Sequence, residues 1–149
     1  MKAAMAIRNQ RGAVAVEFAL VAVLFATLLI AITGFGHWMY TLEMLADATR
    51  AGARVAVVCD LDDTKIKQVI ESRVPQLSLA DSDVAVQYFP AGCSQSNCQG
   101  VTVSLTGVTY NSWMFFLPAA LPMPPFTTSL PRESLESVNA AGEINPVCS

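Results

Sequence analysis

The stretch that decides the fold is AVAVEFALVAVLFATLLIAI, residues 13–32, which contains a single charged side chain, Glu17. At 1.5 Å per residue, about 20 helical residues cross the roughly 30 Å hydrocarbon layer of a membrane. No polar face interrupts the run, as it would in an amphipathic helix on a soluble core. The sequence therefore predicts a transmembrane helix over residues 13–36.

Charged residues on the two sides of this helix predict its orientation. Residues 1–12 hold three of the nine basic residues of the 149-residue chain and none of its twelve acidic residues. Basic flanks remain on the cytoplasmic side of a membrane. We therefore predict a cytoplasmic basic leader over residues 1–12, with the rest of the chain beyond the helix on the opposite side.

A cleaved secretory signal is one alternative interpretation of this segment, and it would make the chain a secreted binding module. Such signals have an apolar core of about 7–15 residues followed by a small-x-small cleavage site. Here the apolar run is longer, and no Ala-x-Ala triplet ends it.

The helical pattern continues past the membrane edge, and we predict an outer continuation of the helix over residues 37–58. Apolar side chains recur there at spacings of three and four residues, the stripe of a helix that packs on a core: Tyr40, Met44, Ala48, Ala51, Val55 and Val58. Four charged side chains lie on a neighbouring face: Glu43, Asp47, Arg50 and Arg54. A weak Asp47–Arg50 contact is expected, and the face is interpreted as a solvated flank.

Residues 59–149 are predicted to form an outer α+β domain that covers the stripe. Residues 62–74 have one apolar face, and Asp62 or Asp63 can cap the helix that they predict. Alternating apolar and polar residues, or β-branched runs, predict strands at residues 84–89, 101–108 and, more weakly, 126–130. The predicted fold class is α+β, a long membrane-spanning helix whose outer half packs on a small antiparallel sheet.

The connections between these strands carry two further patterns. Residues 90–100 are expected to join the first two strands as a hairpin. In residues 110–126, four closely spaced aromatic side chains precede a run with four prolines. We expect this segment to be either a loop packed on the core or an exposed contact surface.

Four cysteines predict disulfide bonds rather than a metal site. Cys93 and Cys98 flank four residues of the hairpin loop, which leaves Cys59 and Cys148 as the second pair, although four cysteines allow three pairings. Zinc is the alternative, but this spacing with one distant His37 is poor for a zinc site. Disulfides persist in oxidising compartments, in agreement with an extracytoplasmic domain.

Little in the chain supports catalysis, cofactor binding or nucleic-acid binding. The single histidine, His37, lies at a membrane edge, where no nucleophile–base set can form around it. Glu133 and Glu136 are interpreted as solvated surface acids. No basic stripe with interleaved aromatic residues suits nucleic acid. We predict that the protein is not an enzyme and needs no cofactor or metal.

Small and large side chains divide the transmembrane helix into two unlike faces. Alanines recur at spacings of 4, 3 and 4 residues, which lets helices approach closely: Ala15, Ala19, Ala22 and Ala26. The bulky side chains of Leu24 and Leu28 lie with Glu17 on the opposite face. Unlike faces suit a head-to-tail contact that propagates as a filament.

The first part of the chain resembles a known family. The stretch RGAVAVEF, residues 11–18, is similar to the processing signal of Flp-type (tight-adherence) pilins and pseudopilins, with Gly12 before small apolar residues, Glu17 and Phe18. The stretch MLADATRAGARVAV, residues 44–57, resembles the TadE-like family. A weaker resemblance lies at SLPRESLE, residues 129–136. The domain between residues 58 and 129 is not covered by the resemblance.

This resemblance implies a minor pilin or pseudopilin of a Flp pilus. A prepilin peptidase would cut between Gly12 and Ala13, and Glu17, beside Phe18, would neutralise the terminal amine of a neighbouring subunit. The implied location is the bacterial inner membrane, with the C-terminal domain periplasmic. Implied partners are the peptidase, other pilins or pseudopilins and the pilus assembly platform. The alternative is an unprocessed single-pass membrane protein whose outer domain is a partner-binding or assembly scaffold.

Overall fold

A computed structural model describes residues 2–112 and 118–149, with side chains described from Gly12 onward. Its elements are α1 (Lys2–Ala56), α2 (Thr64–Arg73), β1 (Val84–Phe89), β2 (Gly100–Leu105), β3 (Thr109–Asn111), β4 (Ala120–Pro122) and β5 (Phe126–Pro131). A long helix followed by a small antiparallel sheet confirms the predicted α+β fold class. The chain divides into two compact units, Met1–Trp38 and Met39–Ser149, which are described separately.

The first unit is the apolar part of α1. In the part of the chain that the structure describes, one helix, Gly12–Ala56, is long and apolar enough to cross a membrane. Thr27 and Thr33 donate hydrogen bonds from their hydroxyls to carbonyl oxygens one turn earlier, at 2.9–3.0 Å. Lipid offers no partner to a polar group, so these bonds let both threonines lie in an apolar span.

In the second unit, the last part of α1 lies against the core, but its buried stripe is rotated from the predicted one. Leu45, Ala48 and Ala56 are fully buried, whereas Tyr40 is 55% exposed. Thr49 is also fully buried, because its hydroxyl donates to the Leu45 carbonyl at 2.7 Å and needs no other partner. A stripe predicted from apolar residues alone therefore misses this position.

The main sheet has the strand order β1–β2–β5, with both pairings antiparallel. The alternation predicted for the second strand is present, with Val101, Val103 and Leu105 fully buried on one face. Gly100 opens β2 where β1 and β5 flank it closely. A Cβ there would lie 2.4 Å from the Phe89 ring and 2.5 Å from the Leu130 carbonyl oxygen, so only glycine fits without movement of a strand.

The predicted α2 and first hairpin are present. Asp63, one of the two predicted caps, accepts a hydrogen bond from the Lys65 N–H at 2.9 Å, and β1 pairs with β2 across the hairpin loop. Residues 110–126 differ from the expected loop, because β3 and β4 pair in a second, two-stranded sheet with Tyr110 buried. Trp113, Phe115 and Phe116 lie outside the described residues.

Three elements of the second unit meet at Gly52 of α1. A Cβ built there would lie 2.6 Å from two side-chain atoms of Ile70 on α2 and 3.8 Å from Val103 on β2. A Gly52→Val change should therefore lower the free energy of unfolding by about 1–3 kcal/mol, the usual cost of overpacking a core. Chemical denaturation of the full chain in detergent measures this difference.

The matched control for Gly52→Val is Gly36→Val in the same helix, where a new Cβ meets no atom within 4 Å. Both changes place a β-branched residue in the helix, so the comparison isolates the crowding against Ile70. Equal stability of the two variants would contradict the close approach of α1 and α2.

Candidate assembly site

Glu17 is an exposed carboxylate among exposed apolar side chains of α1. Its neighbours Val14, Leu20 and Val21 are each more than 60% exposed, and Phe18 is 73% exposed. Among the side chains that the structure describes, from Gly12 to Ser112 and from residue 118 onward, Glu17 has no hydrogen-bond or ion-pair partner. A carboxylate in lipid is costly unless it is paired.

The bond between Gly12 and Ala13 lies inside α1, and both residues are exposed. A Cβ built at Gly12 meets no atom within 4 Å, so the chain itself leaves this position open. Cleavage of this bond, which the family resemblance predicts, would require the helix to unwind locally. Glycine has the weakest helix propensity after proline, so unwinding costs least there.

The four alanines of the predicted packing stripe lie along the same apolar part of α1. Ala15, Ala19 and Ala26 are exposed, and Ala22 is partly exposed. Small side chains on an exposed helix face permit close approach of a second helix. Their role in helix packing stays a prediction.

A second arrangement, which the sequence did not predict as a unit, closes the C-terminal end of α1. The last carbonyls of a helix lack partners within it. The Val57 carbonyl accepts from the N–H groups of Glu133 (3.0 Å) and Leu135 (3.3 Å), and the Val58 carbonyl accepts from the Glu136 N–H (2.8 Å). The Ser134 hydroxyl also donates to the Val58 carbonyl, at 3.0 Å. In the sequence, the weak family resemblance at residues 129–136 is the one feature that points to this position.

Polar side chains hold the turn between α1 and α2 to the same segment. Ser137 donates its N–H to Asp60 Oδ1 at 3.0 Å and its hydroxyl to Asp63 Oδ2 at 2.8 Å. The Asp60 N–H in turn donates to the Ser137 hydroxyl oxygen at 2.9 Å. Residues 132–138, hereafter the C-terminal tie, are thus fixed by backbone and side-chain bonds together.

The phenol of Tyr88 on β1 contacts this turn from another side. Its oxygen accepts a hydrogen bond from the Asp62 N–H at 3.1 Å. Burial raises the pKa of the Tyr88 phenol above its usual 10.0. The phenol therefore stays neutral well into the alkaline range, and no charge is placed beside Asp62 and Asp63.

The four cysteines form two disulfides in the structure, Cys59–Cys148 and Cys93–Cys98, with Cα–Cα distances of 5.6 and 5.0 Å. Cys59 follows the end of α1, so the first disulfide joins this end to the C-terminus. Beside it, Lys65 Nζ donates to the Ser149 carbonyl oxygen. All four cysteine sulfurs are thus in disulfide bonds. Among the described residues, no group of side chains could hold a metal ion.

These features define a class, a protein with one apolar N-terminal helix able to span a membrane and a disulfide-tied α+β domain. Residues 12–54 match the family described as TadE-like protein, which confirms the predicted resemblance. No curated protein matches significantly, and neither does any solved structure.

Proposed function

We propose that the chain is a minor pilin or pseudopilin that takes part in assembly of a Flp (tight-adherence) pilus. The observation that carries this proposal is Glu17, an exposed carboxylate without a partner in the described chain, in the apolar helix of a TadE-like segment. Such a side chain is poorly suited to a helix that only anchors a domain in lipid. It suits a helix that packs against a neighbouring subunit carrying the opposite charge.

Maturation by a prepilin peptidase would supply that charge. Cleavage between Gly12 and Ala13 removes the three basic residues of the leader and creates an ammonium group at Ala13. Glu17 of one subunit then pairs with the Ala13 amine of the next, and Phe18 packs beside the contact. The attraction between these charges is strong in lipid, although desolvation offsets much of it. The pair acts mainly to set which subunits meet.

The proposed topology places residues 1–12 in the cytoplasm, the apolar helix in the bacterial inner membrane and the C-terminal domain in the periplasm. Basic residues before the helix support this orientation. The two disulfides support it as well, because the periplasm is oxidising. The partners are then the prepilin peptidase, other pilins or pseudopilins and the pilus assembly platform.

The intact mass of the chain extracted from the membrane tests this proposal. We expect a product that begins at Ala13, and a Gly12→Leu variant that keeps its leader because leucine blocks close approach of the peptidase. A natural chain that still begins at Met1 would support the unprocessed anchor with a scaffold domain. A product that begins beyond Thr33 would support a secreted module.

A further inference from the structure

Four exposed charged side chains form a second surface on α1, in its last four turns. At 100° per residue, positions 43, 47, 50 and 54 fall within about 60° of one another around the helix. Two acids come first and two arginines follow: Glu43, Asp47, Arg50 and Arg54. This set, hereafter the charged face, thus has an acidic half and a basic half.

The two halves do not neutralise each other within the chain. Asp47 Oδ2 accepts from Arg73 Nη1 on α2 at 2.8 Å, rather than pairing with Arg50 as predicted. Glu43, Arg50 and Arg54 form no ion pair or hydrogen bond through their side chains with any described residue. Like charges four residues apart weakly destabilise an isolated helix. The charged face is therefore suited to opposite charges from outside the chain.

We propose that the charged face is a contact between two copies of this chain, whose helices run parallel and are staggered by seven residues. Seven residues are nearly two turns, so the same face returns after a shift of about 10.5 Å. In this register, Glu43 of one copy lies beside Arg50 of the next, and Asp47 lies beside Arg54. The inference rests on the proposed function, which places both copies in one membrane.

Charge and topology exclude the two simpler registers. A parallel pair without stagger places Glu43 beside Glu43 and Arg50 beside Arg50, and like charges repel. An antiparallel pair places the acidic half of each copy beside the basic half of the other without any stagger. Two copies anchored in one membrane, however, leave it in the same direction, so their helices run parallel. The staggered pair leaves a basic half free at one end and an acidic half at the other.

A charge exchange between Glu43 and Arg50 tests the register and leaves the Asp47–Arg73 pair intact. Two differently tagged copies are expressed together, and their co-purification in mild detergent at low salt is measured. When both copies carry Glu43→Arg, or both carry Arg50→Glu, the side chains at positions 43 and 50 have the same charge and repel each other. We then expect co-purification of the two copies to fall roughly fivefold. A Glu43→Arg copy with an Arg50→Glu copy should recover the natural level, as should Glu43→Arg/Arg50→Glu in one chain.

The control is Glu136→Arg, which makes the same charge change at an exposed residue that is not part of the charged face and should leave co-purification unchanged. The inference would be overturned if the single exchanges had no effect on co-purification, or if the paired variants did not recover it. It would also be overturned if the natural copies did not co-purify. The N-terminus is read on the same samples. If the chain begins at Ala13 but co-purification does not respond to the charge exchanges, the contact through the charged face is rejected and the proposed function stands. If the leader is retained, the proposed function itself is rejected.

Discussion

Removal of the Cys59–Cys148 disulfide should lower the free energy of unfolding of the Met39–Ser149 unit by about 4.6 kcal/mol. The bond joins residues 89 positions apart, and in the chain-entropy model a cross-link over such a loop restricts the unfolded chain strongly. Domains are stable by only about 5–15 kcal/mol, so the loss is severe. Cys59→Ala/Cys148→Ala leaves no free thiol, and chemical denaturation of the full chain in detergent gives the difference.

The second disulfide provides the matched control for this measurement. Cys93 and Cys98 are five positions apart, and the same model gives about 2 kcal/mol for so short a loop. Cys93→Ala/Cys98→Ala should therefore cost roughly half as much. If the two double variants lose the same stability, loop length does not govern the effect. If Cys59→Ala/Cys148→Ala loses nothing, the hydrogen bonds of the C-terminal tie hold the end of α1 without the disulfide.

The parts of the fold that could be predicted are those with a local signal. The apolar run at residues 13–32 predicts a helix by itself, because an apolar run of this length is typical of a membrane-spanning helix. Alternation of Val101, Val103 and Leu105 with polar residues predicts β2, since the period of two places these three side chains on one face.

The C-terminal tie could not be predicted, because it carries no periodic pattern. Its contacts with Val57 and Val58 come from backbone N–H groups, which every residue other than proline possesses. Leu135 is fully buried in a left-handed conformation, with φ of 51°, where glycine or asparagine would be the usual signal. The strands β3 and β4 have three residues each, too few for alternation to be recognised.

The candidate site shows the same division between local and non-local information. Glu17 could be identified from sequence, since one acid in an apolar run is visible without a structure. Helical spacing alone pairs Asp47 with Arg50, so the sequence predicts a solvated flank at the charged face. Arg73 is 26 residues away from Asp47 along the chain, and only the packing of α2 beside α1 reveals their contact.

Replacement of Glu17 by alanine should reduce incorporation into the pilus by more than about a hundredfold. In the proposed assembly the variant leaves the Ala13 amine of each neighbour without its counter-charge in lipid, and removing one partner of a buried ion pair typically costs about 3–5 kcal/mol. Insertion into the membrane should not suffer, because the change makes the helix more apolar. Quantification of the chain in sheared pili against the membrane fraction measures the ratio.

Two further variants separate charge from other effects of the change. Glu17→Gln keeps the shape and the hydrogen-bonding oxygen but loses the charge, so it should fail nearly as completely as alanine if the amine is the partner. Thr27→Ala removes another polar side chain from the same helix, but its hydroxyl bonds the Leu24 carbonyl of its own chain, so assembly should continue. Normal incorporation of Glu17→Gln would mean that Glu17 accepts a hydrogen bond rather than neutralising a charge. Normal incorporation of Glu17→Ala would leave the carboxylate without a role between subunits.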